Sequence, residues 1–176
     1  MNTPWITSNI IHSDLLAIKE LIYDPCEYEC SLPIKEAESS EYGAYTFEVN
    51  TLSVKFLTAK ITRTMIGQFV TLLKRSGKGP IQPFDFTDPI DLFIISTRKD
   101  NHFGQFIFPK SVLCEQGIVS TNNKEGKRAI RVYPPWDETL SKQAQKTQKW
   151  QLDYFLEIPS DKPMDMELVK KLYKMS

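Results

Sequence analysis

The sequence predicts an α+β fold in which helices flank a central sheet of mixed or antiparallel strands. Apolar runs with a two-residue alternation are typical of strands, and they are interspersed with stretches whose apolar residues recur at helical spacing. With 41% hydrophobic and 25% charged residues, the composition is that of a chain that folds around a core. The length of 176 residues suits one domain, so we expect a single domain over residues 1–176.

The first third of the chain predicts a helix and then a hairpin. A helix over residues 10–24 is indicated by its apolar spacing. The acidic run over residues 34–41 is expected to form a short helix that leads into the sheet. The alternating runs 45–49 and 52–61 are separated by a turn-like Asn-Thr pair, which predicts a β-hairpin.

Helices and strands alternate in the rest of the chain. A helix is predicted over residues 64–76, because its apolar residues fall on one side of a helical projection and a Gly-Lys-Gly-Pro stretch follows them. The remaining predicted elements are strands over 91–97 and 103–108, a short helix over 109–117, strands over 117–120 and 128–135, a helix over about 141–156 and a helix from about residue 164.

Charge and cysteine content limit the classes of function. Lys and Arg number 22 and so do Asp and Glu, so the formal net charge is zero and any basic surface must come from local segregation of charge. Neither histidine lies at a zinc-finger spacing from Cys26 and Cys30, so we expect free thiols and a cytoplasmic protein. No apolar run approaches membrane-spanning length, and we expect no membrane contact.

Lys60, near the end of the second hairpin strand, is the first candidate for a functional group. The turn makes Val49 face Leu52, and the same register places Glu41 opposite Lys60. The two-residue period puts Thr58 on the same face. One interpretation is a structural ion pair between Glu41 and Lys60. The other is a site that faces a phosphodiester, where carboxylates hold a divalent metal and the lysine stabilises developing charge.

Nucleases of the restriction-endonuclease-like type carry the pattern D…(D/E)xK on such a hairpin, and this chain departs from it. Thr58 stands two positions before Lys60, where the pattern has an acid. A hydroxyl is a poor replacement for a metal-binding carboxylate, and Glu41 alone would hold Mg²⁺ weakly; Glu38 and Glu48 are candidate substitutes. We therefore expect nucleic-acid binding rather than cleavage, with Mg²⁺ as a cofactor only if the protein is a nuclease that uses Glu41 and Lys60.

The predicted helix after Lys60 carries a narrow polar stripe opposite its apolar face. Its side chains can bond phosphate oxygens or base edges, no carboxylate interrupts them, and Lys74 adds a charge near the end of the helix. The alternative is an ordinary solvated helix face with a basic end. The stripe consists of Thr64, Gln68, Thr71 and Arg75.

Two glutamines of the predicted helix 141–156, Gln148 and Gln151, project toward its apolar side. An unpaired buried amide costs about 1–3 kcal/mol. These amides must therefore be bonded to backbone, to water or to a ligand. Bonds to strand ends are the commoner arrangement, and contacts with nucleobases are the functional alternative.

A further basic segment combines cations with aromatic rings. Lys127, Arg128 and Arg131 lie on a predicted loop and strand, with Tyr133 and Trp136 close behind. Basic residues beside aromatic residues suit single-stranded nucleic acid, because bases stack on rings while cations meet phosphates. The alternative is that these aromatic residues fill the core.

Five motifs follow one another between residues 39 and 156: SSEYGAYTFEV, TAKITRTMIGQFVTLLKR, GQFIFPKSVLCEQGIVS, GKRAIRVYPPWD and KQAQKTQKWQLDYF. With them the sequence resembles the MepB family of small bacterial proteins. The resemblance implies a core similar to that of type II restriction endonucleases, and hence nucleic-acid binding. The site residues that it implies are Glu41, Lys60, Gln68, Lys74, Arg75, Lys127, Arg128 and Arg131.

Three functional hypotheses follow. The leading one is a protein that binds DNA or RNA through a degenerate, non-cleaving nuclease-like site. The enzyme alternative is a Mg²⁺-dependent nuclease that uses Glu41 and Lys60. The third is a protein-interaction module in efflux or stress regulation, which the acid-rich run 34–41 and the mixed charges of the C-terminal helix favour.

Overall fold

A six-stranded mixed sheet forms the centre of the protein, as predicted. The structure, a computed structural model, describes Trp5 and residues 11–36, 44–75 and 78–174. The strands, in chain order, are β1 (Ile34–Lys35), β2 (Tyr45–Val49), β3 (Leu52–Thr58), β4 (Lys60–Ile61), β5 (Gln68–Thr71), β6 (Leu73–Arg75), β7 (Ile81–Pro83), β8 (Leu92–Lys99), β9 (His102–Pro109), β10 (Ala129–Val132) and β11 (Phe155–Glu157). The central sheet has the order β1-β2-β3-β8-β9-β11, in which β3 and β8 run parallel and the other neighbours antiparallel.

The β2–β3 hairpin has the predicted register. Val49 pairs with Leu52 around a tip at which Asn50 takes a φ of 55°. Asparagine adopts this left-handed conformation more readily than most residues. β3 ends at Thr58 rather than at residue 61, because the chain then leaves the central sheet and continues as β4 in another sheet.

A three-stranded antiparallel sheet, β10-β5-β4, and the pair β6–β7 take the place of the helix predicted over residues 64–76. That prediction is wrong. Gln68 and Val70 are buried while Phe69 and Thr71 are half-buried, which is the two-residue alternation of a strand. Over so short a run the apolar spacing fits both periods, and pairing with β10 decides in favour of the strand.

Four helices accompany the sheets in the described residues. They are α1 (Ser13–Ile18), which continues as a π-helical turn over Lys19–Tyr23, α2 (Lys110–Glu115), α3 (Lys142–Gln151), which continues as a 3₁₀ turn over Leu152–Tyr154, and α4 (Met166–Tyr173).

Three other element predictions need correction. The helix predicted over 141–156 stops early, because Phe155–Glu157 pairs with β9 as an edge strand. The start of the run 34–41 is β1 rather than a helix, and residues 37–41 lie outside the described residues. The strand predicted over 117–120 contributes a single bridge, between Ser120 and Asp85.

The two faces of the central sheet are covered by different elements. α1 and α4 pack on one face, where Ile18 and Leu172 join Phe56 in the core, and we call it the helical face. The small sheet, α2 and α3 cover the other, which we call the groove face. There Trp150 of α3 packs against Phe108, with ring centroids 5.3 Å apart. The groove face carries the candidate site.

The three cysteines are free thiols, as predicted. Burial raises the pKa of the Cys30 thiol to about 11, which keeps it uncharged and unreactive near neutral pH. Among the described residues, no helix combines the length and the apolar character needed to span a membrane.

Candidate nucleic-acid interface

Lys60 does not occupy the position that the hairpin register predicts. It is exposed on β4, where it pairs with Phe69 of β5. Its predicted partner, Glu41, lies outside the described residues. Because the chain passes from one sheet to another at Ala59, the register of the β2–β3 hairpin does not extend to Lys60. The hairpin therefore provides no basis for a site built from Glu41 and Lys60.

The polar stripe predicted within residues 64–76 does not form, because the segment is not a helix. Thr64 is exposed in the bend before β5, whereas Gln68 is buried. Nε2 of Gln68 donates a hydrogen bond to the backbone oxygen of Arg98 at 3.2 Å, which ties the small sheet to β8. Thr71 lies on the other face of β5. Gln68 is 1% exposed and thus supports the fold, so it is not accessible to nucleic acid, contrary to the prediction.

Both glutamines of α3 are bonded to backbone groups. Nε2 of Gln151 donates to the oxygen of Arg131 at 3.0 Å, and its Oε1 accepts from the Tyr133 N–H at 2.8 Å. Nε2 of Gln148 donates to the oxygen of Pro134 at 2.9 Å. Of the two alternatives that the sequence allows, bonds to strand ends and contacts with nucleobases, the structure shows the first. The two amides hold the end of β10 against α3.

Arg131 of β10 holds the bend that precedes β5. Its guanidinium donates to the oxygen of Gly67 at 3.2 Å and to Oγ1 of Thr62 at 2.8 Å. It also lies 6.0 Å from the centroid of the Phe69 ring. Gly67 takes a φ of 86°, and its missing side chain leaves room for the ring of Tyr133. Arg131 therefore positions the bend as well as contributing charge.

A cavity of about 770 Å³ opens between the small sheet and α3, and we call it the basic groove. Lys127 and Lys146 in its walls are exposed, so their ammonium groups are accessible. None of the described residues that line it carries a carboxylate, so its walls do not neutralise their own positive charge. The cations of the groove are Lys127, Arg131 and Lys146, and its rings, all half-buried, are Phe69, Tyr133 and Trp150.

Two further predicted cations, Arg75 on β6 and Arg128 just before β10, do not line the groove. The N–H of Leu72 donates to the oxygen of Arg128 at 2.7 Å, and Nε of Arg128 donates to the oxygen of Ile81 at 3.4 Å. Ile81 in turn pairs with Arg75. Arg128 also forms an ion pair of 3.6 Å with Glu125. These contacts place Arg128 beside β6 and β7 rather than in the groove.

The buried lysine of the central sheet is Lys55, which the sequence patterns did not single out. It is 8% exposed, its Nζ lies 2.6 Å from Oε1 of Glu36, and it approaches the centroid of the Phe84 ring to 5.3 Å. Burial acts to raise the pKa of Glu36, but hydrogen bonds from Lys55 and Thr46 outweigh it and the pKa is lowered. The signal that could have identified Lys55 is a cation inside an alternating apolar run.

The side chain of Lys55 lines a second cavity of about 210 Å³, which we call the lysine cavity. Lys74, predicted as a nucleic-acid contact, lies in its wall with Nζ 2.7 Å from Oδ1 of Asp88. Within the described ranges, no three His, Cys, Asp or Glu side chains are grouped so as to hold a metal ion. The polar and aromatic residues of the wall are Glu36, Lys55, Lys74, Arg75 and Phe84.

Comparisons with known proteins identify a family. A family model described as MepB-like matches residues 36–157. The solved structure titled "Crystal Structure of MepB" is 32% identical, with a TM-score of 0.73 over 86% of this chain and 99% of that chain. The bacterial homing endonuclease I-Ssp6803I is 14% identical, with a TM-score of 0.45 over 80% of this chain and 86% of its own. That score does not show a shared fold. A search of the curated proteins finds no significant match.

The family model spans strands β2 to β11 and all the residues that line the basic groove. The resemblance inferred from the sequence motifs is therefore confirmed. The chain belongs to the MepB-like family.

Proposed function

We propose that this protein binds nucleic acid, with a single strand lying in the basic groove. The observation that carries the proposal is the lining of that groove, where three cations and three aromatic rings occur with no carboxylate among the described residues. In a chain with no net charge, such segregation marks a surface suited to an anionic ligand.

The cations provide contacts with the phosphate backbone. Lys127 and Lys146 are exposed and lie on separate elements, the loop before β10 and α3, so that a strand in the groove meets positive charge from both sides. Arg131 is engaged with the bend and adds charge from the floor. Each phosphate that is neutralised releases counterions, which makes the affinity fall as salt rises.

The aromatic rings provide surfaces on which bases can stack. Phe69, Tyr133 and Trp150 are half-buried, so each is held by the fold while part of its ring remains accessible. Stacking contributes about 1–3 kcal/mol per base and tolerates any sequence, because every base has a π-face. A duplex hides these faces inside its own stack. We therefore expect a preference for single strands with little dependence on sequence.

The test is fluorescence anisotropy of labelled single-stranded and double-stranded oligonucleotides, measured over a salt series. The variant Lys127→Ala/Lys146→Ala removes the two accessible cations of the groove. The matched control is Lys170→Ala/Lys171→Ala, which removes two exposed lysines of α4 on the helical face. We expect salt-dependent binding to the single strand, at least several-fold weaker in the groove variant and unchanged in the control.

Two results would contradict the proposal. One is the absence of binding at low salt, where phosphate contacts are strongest. The other is an equal loss of affinity in the groove variant and in the α4 control, which would indicate attraction to charge anywhere on the surface. A parallel incubation with Mg²⁺, analysed on a gel, tests the nuclease alternative directly.

A further inference from the structure

A third cavity, of about 350 Å³, lies beside the basic groove, and we call it the acidic pocket. Met65 lines both cavities. Gly67 of the pocket wall lies directly against the ring of Tyr133, which lines the groove. The hydrogen bonds from Arg131 to Thr62 and to Gly67 hold this shared wall in place. A strand that lies in the basic groove therefore passes next to the acidic pocket.

The acidic pocket has an excess of negative charge, in contrast to the groove. Two carboxylates, Asp137 and Glu138, stand against one cation, Lys99. The side chain of Asp137 is 8% exposed, and Nζ of Lys99 lies 3.7 Å from its Oδ1, which is longer than a hydrogen bond. Burial outweighs the attraction of Lys99 and raises the pKa of Asp137, so the charge of this carboxylate is only partly compensated. Glu138 is exposed and forms no ion pair with the described residues. The pocket thus has acceptor oxygens that these residues leave unused.

Apolar side chains form much of the remaining wall. Ile61 is 57% exposed, Met65 59% and Ile66 38%. The ring of Trp136 is held by stacking on His102, with centroids 4.9 Å apart. Large apolar residues that are exposed together around a cavity mark a surface that binds a ligand. A ligand that suits the whole pocket has apolar faces and carries N–H donors at its edge.

We propose that the acidic pocket binds a guanine base of the strand that lies in the basic groove, an inference that rests on the proposed function. A base turned out of a strand is recognised through its hydrogen-bonding edge and its apolar faces. Guanine presents two adjacent donors, N1–H and the N2 amino group, which match the two oxygens of a carboxylate. Adenine and cytosine present one amino group beside a ring acceptor. Thymine and uracil present N3–H between two carbonyl oxygens, which a carboxylate repels.

The opposite charges of the two cavities separate the parts of the strand. The carboxylates of the acidic pocket repel phosphate, so the backbone stays with Lys127 and Lys146 while an uncharged base enters the pocket. Stacking in the groove tolerates any sequence. The pocket adds one position at which the identity of the base matters, and the preference for guanine is added to the affinity that the groove provides.

The experiment is a competition titration, followed by fluorescence anisotropy, with short oligothymidylate strands whose central base is thymine, guanine, adenine or cytosine. We expect the strand with guanine to bind about fivefold or more tightly than the other three, as for a bidentate contact with one base. Hypoxanthine, which lacks the N2 amino group, should lose most of this preference. 7-Deazaguanine, which keeps both donors but lacks the N7 acceptor, should retain it.

The variant Asp137→Asn/Glu138→Gln removes both negative charges with little change in shape. It should lose the preference for guanine and bind the all-thymine strand at least as tightly as the wild type, because the repulsion of phosphate is removed. A variant with a damaged fold would bind every strand more weakly, and in that case Glu138→Gln, at an exposed position, carries the test. The matched control, Asp161→Asn/Glu167→Gln, removes two exposed carboxylates of the C-terminal segment and should keep the preference.

The outcomes separate this inference from the proposed function. Equal affinities for the four strands would overturn the guanine pocket and leave binding in the basic groove intact. A preference for guanine that persists in Asp137→Asn/Glu138→Gln, or one that needs N7 rather than the N2 amino group, would also overturn it, because a carboxylate does not donate to N7. No binding of any strand at low salt would overturn both proposals.

Discussion

The two faces of the central sheet use their polar groups in opposite ways. On the helical face, Asp14 is 3% exposed and accepts hydrogen bonds from Oγ of Ser96 at 2.8 Å and from Nε of Arg98 at 2.6 Å. The hydroxyl groups of Tyr23 and Tyr173 are bonded to each other at 2.8 Å. The polar atoms on this face join α1 and α4 to the sheet, and their bonding capacity goes to the fold.

The groove face instead keeps charge available. Lys127 and Lys146 are exposed, and within the described part of the chain neither forms an ion pair. The difference teaches which substitutions will affect folding and which will affect binding. Polar side chains whose hydrogen-bonding groups are taken up by the protein contribute to its stability. Side chains whose donors face a cavity are expected to contribute to ligand binding.

Breaking the buried contact of Asp14 gives the largest expected effect, and the effect is on folding. Asp14→Ala removes two charge-assisted bonds and leaves the buried hydroxyl of Ser96 without an acceptor, which costs about 3 kcal/mol. Urea denaturation measures the free energy of unfolding. The control is Asp24→Ala, which breaks the 2.7 Å ion pair with Lys19 near the surface and costs less than about 1 kcal/mol. Equal costs for both variants would show that the buried contact of Asp14 has no special weight.

Gln151→Ala should lower both the free energy of unfolding and the affinity for oligonucleotides, because this residue bonds the end of β10, which lines the groove, to α3. It leaves the N–H of Tyr133 and the oxygen of Arg131 without their partner, at a cost of about 1–3 kcal/mol in the free energy of unfolding. Oligonucleotide affinity should fall as well, since Tyr133 is no longer held against α3. Lys149→Ala, an exposed position of the same helix, is the control for both measurements. Unchanged stability in Gln151→Ala would show that the two bonds are replaced by water.

Tyr133→Leu sharpens the comparison within the groove, because it removes a ring without removing charge. We expect affinity for a single strand to fall about fivefold or more, at the lower end of the stacking contribution of one base. The plot of log K against log salt should keep the slope of the wild type and shift to lower affinity. Lys146→Ala should instead reduce the magnitude of that slope by about 0.7, for one lost phosphate contact on a single strand. Identical slopes in the two variants would remove the distinction between stacking and charge.

The smallest expected effect is the pH dependence that Glu36 contributes to stability. Its pKa in the folded state is lowered from the ordinary value of 4.5, so the folded protein favours the ionised form. The contribution is therefore present above about pH 4.5 and is lost as the pH falls through the lowered pKa. Urea denaturation between about pH 3 and pH 7 gives the free energies of unfolding of the wild type and of Glu36→Gln. The difference between them should be constant above about pH 4.5 and should shrink as the pH falls further. A difference independent of pH would mean that the charge of Glu36 plays no part in it.

Much of the central sheet can be predicted from the sequence, because its strands carry local signals. The β2–β3 register is set by a turn at Asn50 and by alternating burial on both sides, and both are visible in the sequence. The segment over residues 64–76 cannot be assigned in this way. Its spacing of apolar residues fits a helix, and the partner that makes it a strand, β10, lies far along the chain.

Part of the lining of the basic groove can be predicted from the sequence, because some of its residues are neighbours along the chain. Lys127 and Arg131 were identified from their proximity in sequence to aromatic residues, and both line the basic groove. Phe69 and Lys146 were not, because the strand and the helix that carry them meet only in the folded protein. The sequence favours Lys60 over Lys55 as a candidate, since sequence alone does not show at which residue a strand leaves its sheet.

The extended run over residues 68–75 contributes side chains to the walls of both the basic groove and the lysine cavity. Its first part, β5, is fastened to β10 and β4, and its second part, β6, is fastened to β7. Phe69 lies in the wall of the basic groove and Lys74 in the wall of the lysine cavity. Between them Leu72, 1% exposed, is pinned by its bond to the oxygen of Arg128. The run is therefore held along its whole length, so Phe69 and Lys74 keep a fixed separation and a ligand in one cavity is expected to leave the other cavity unchanged.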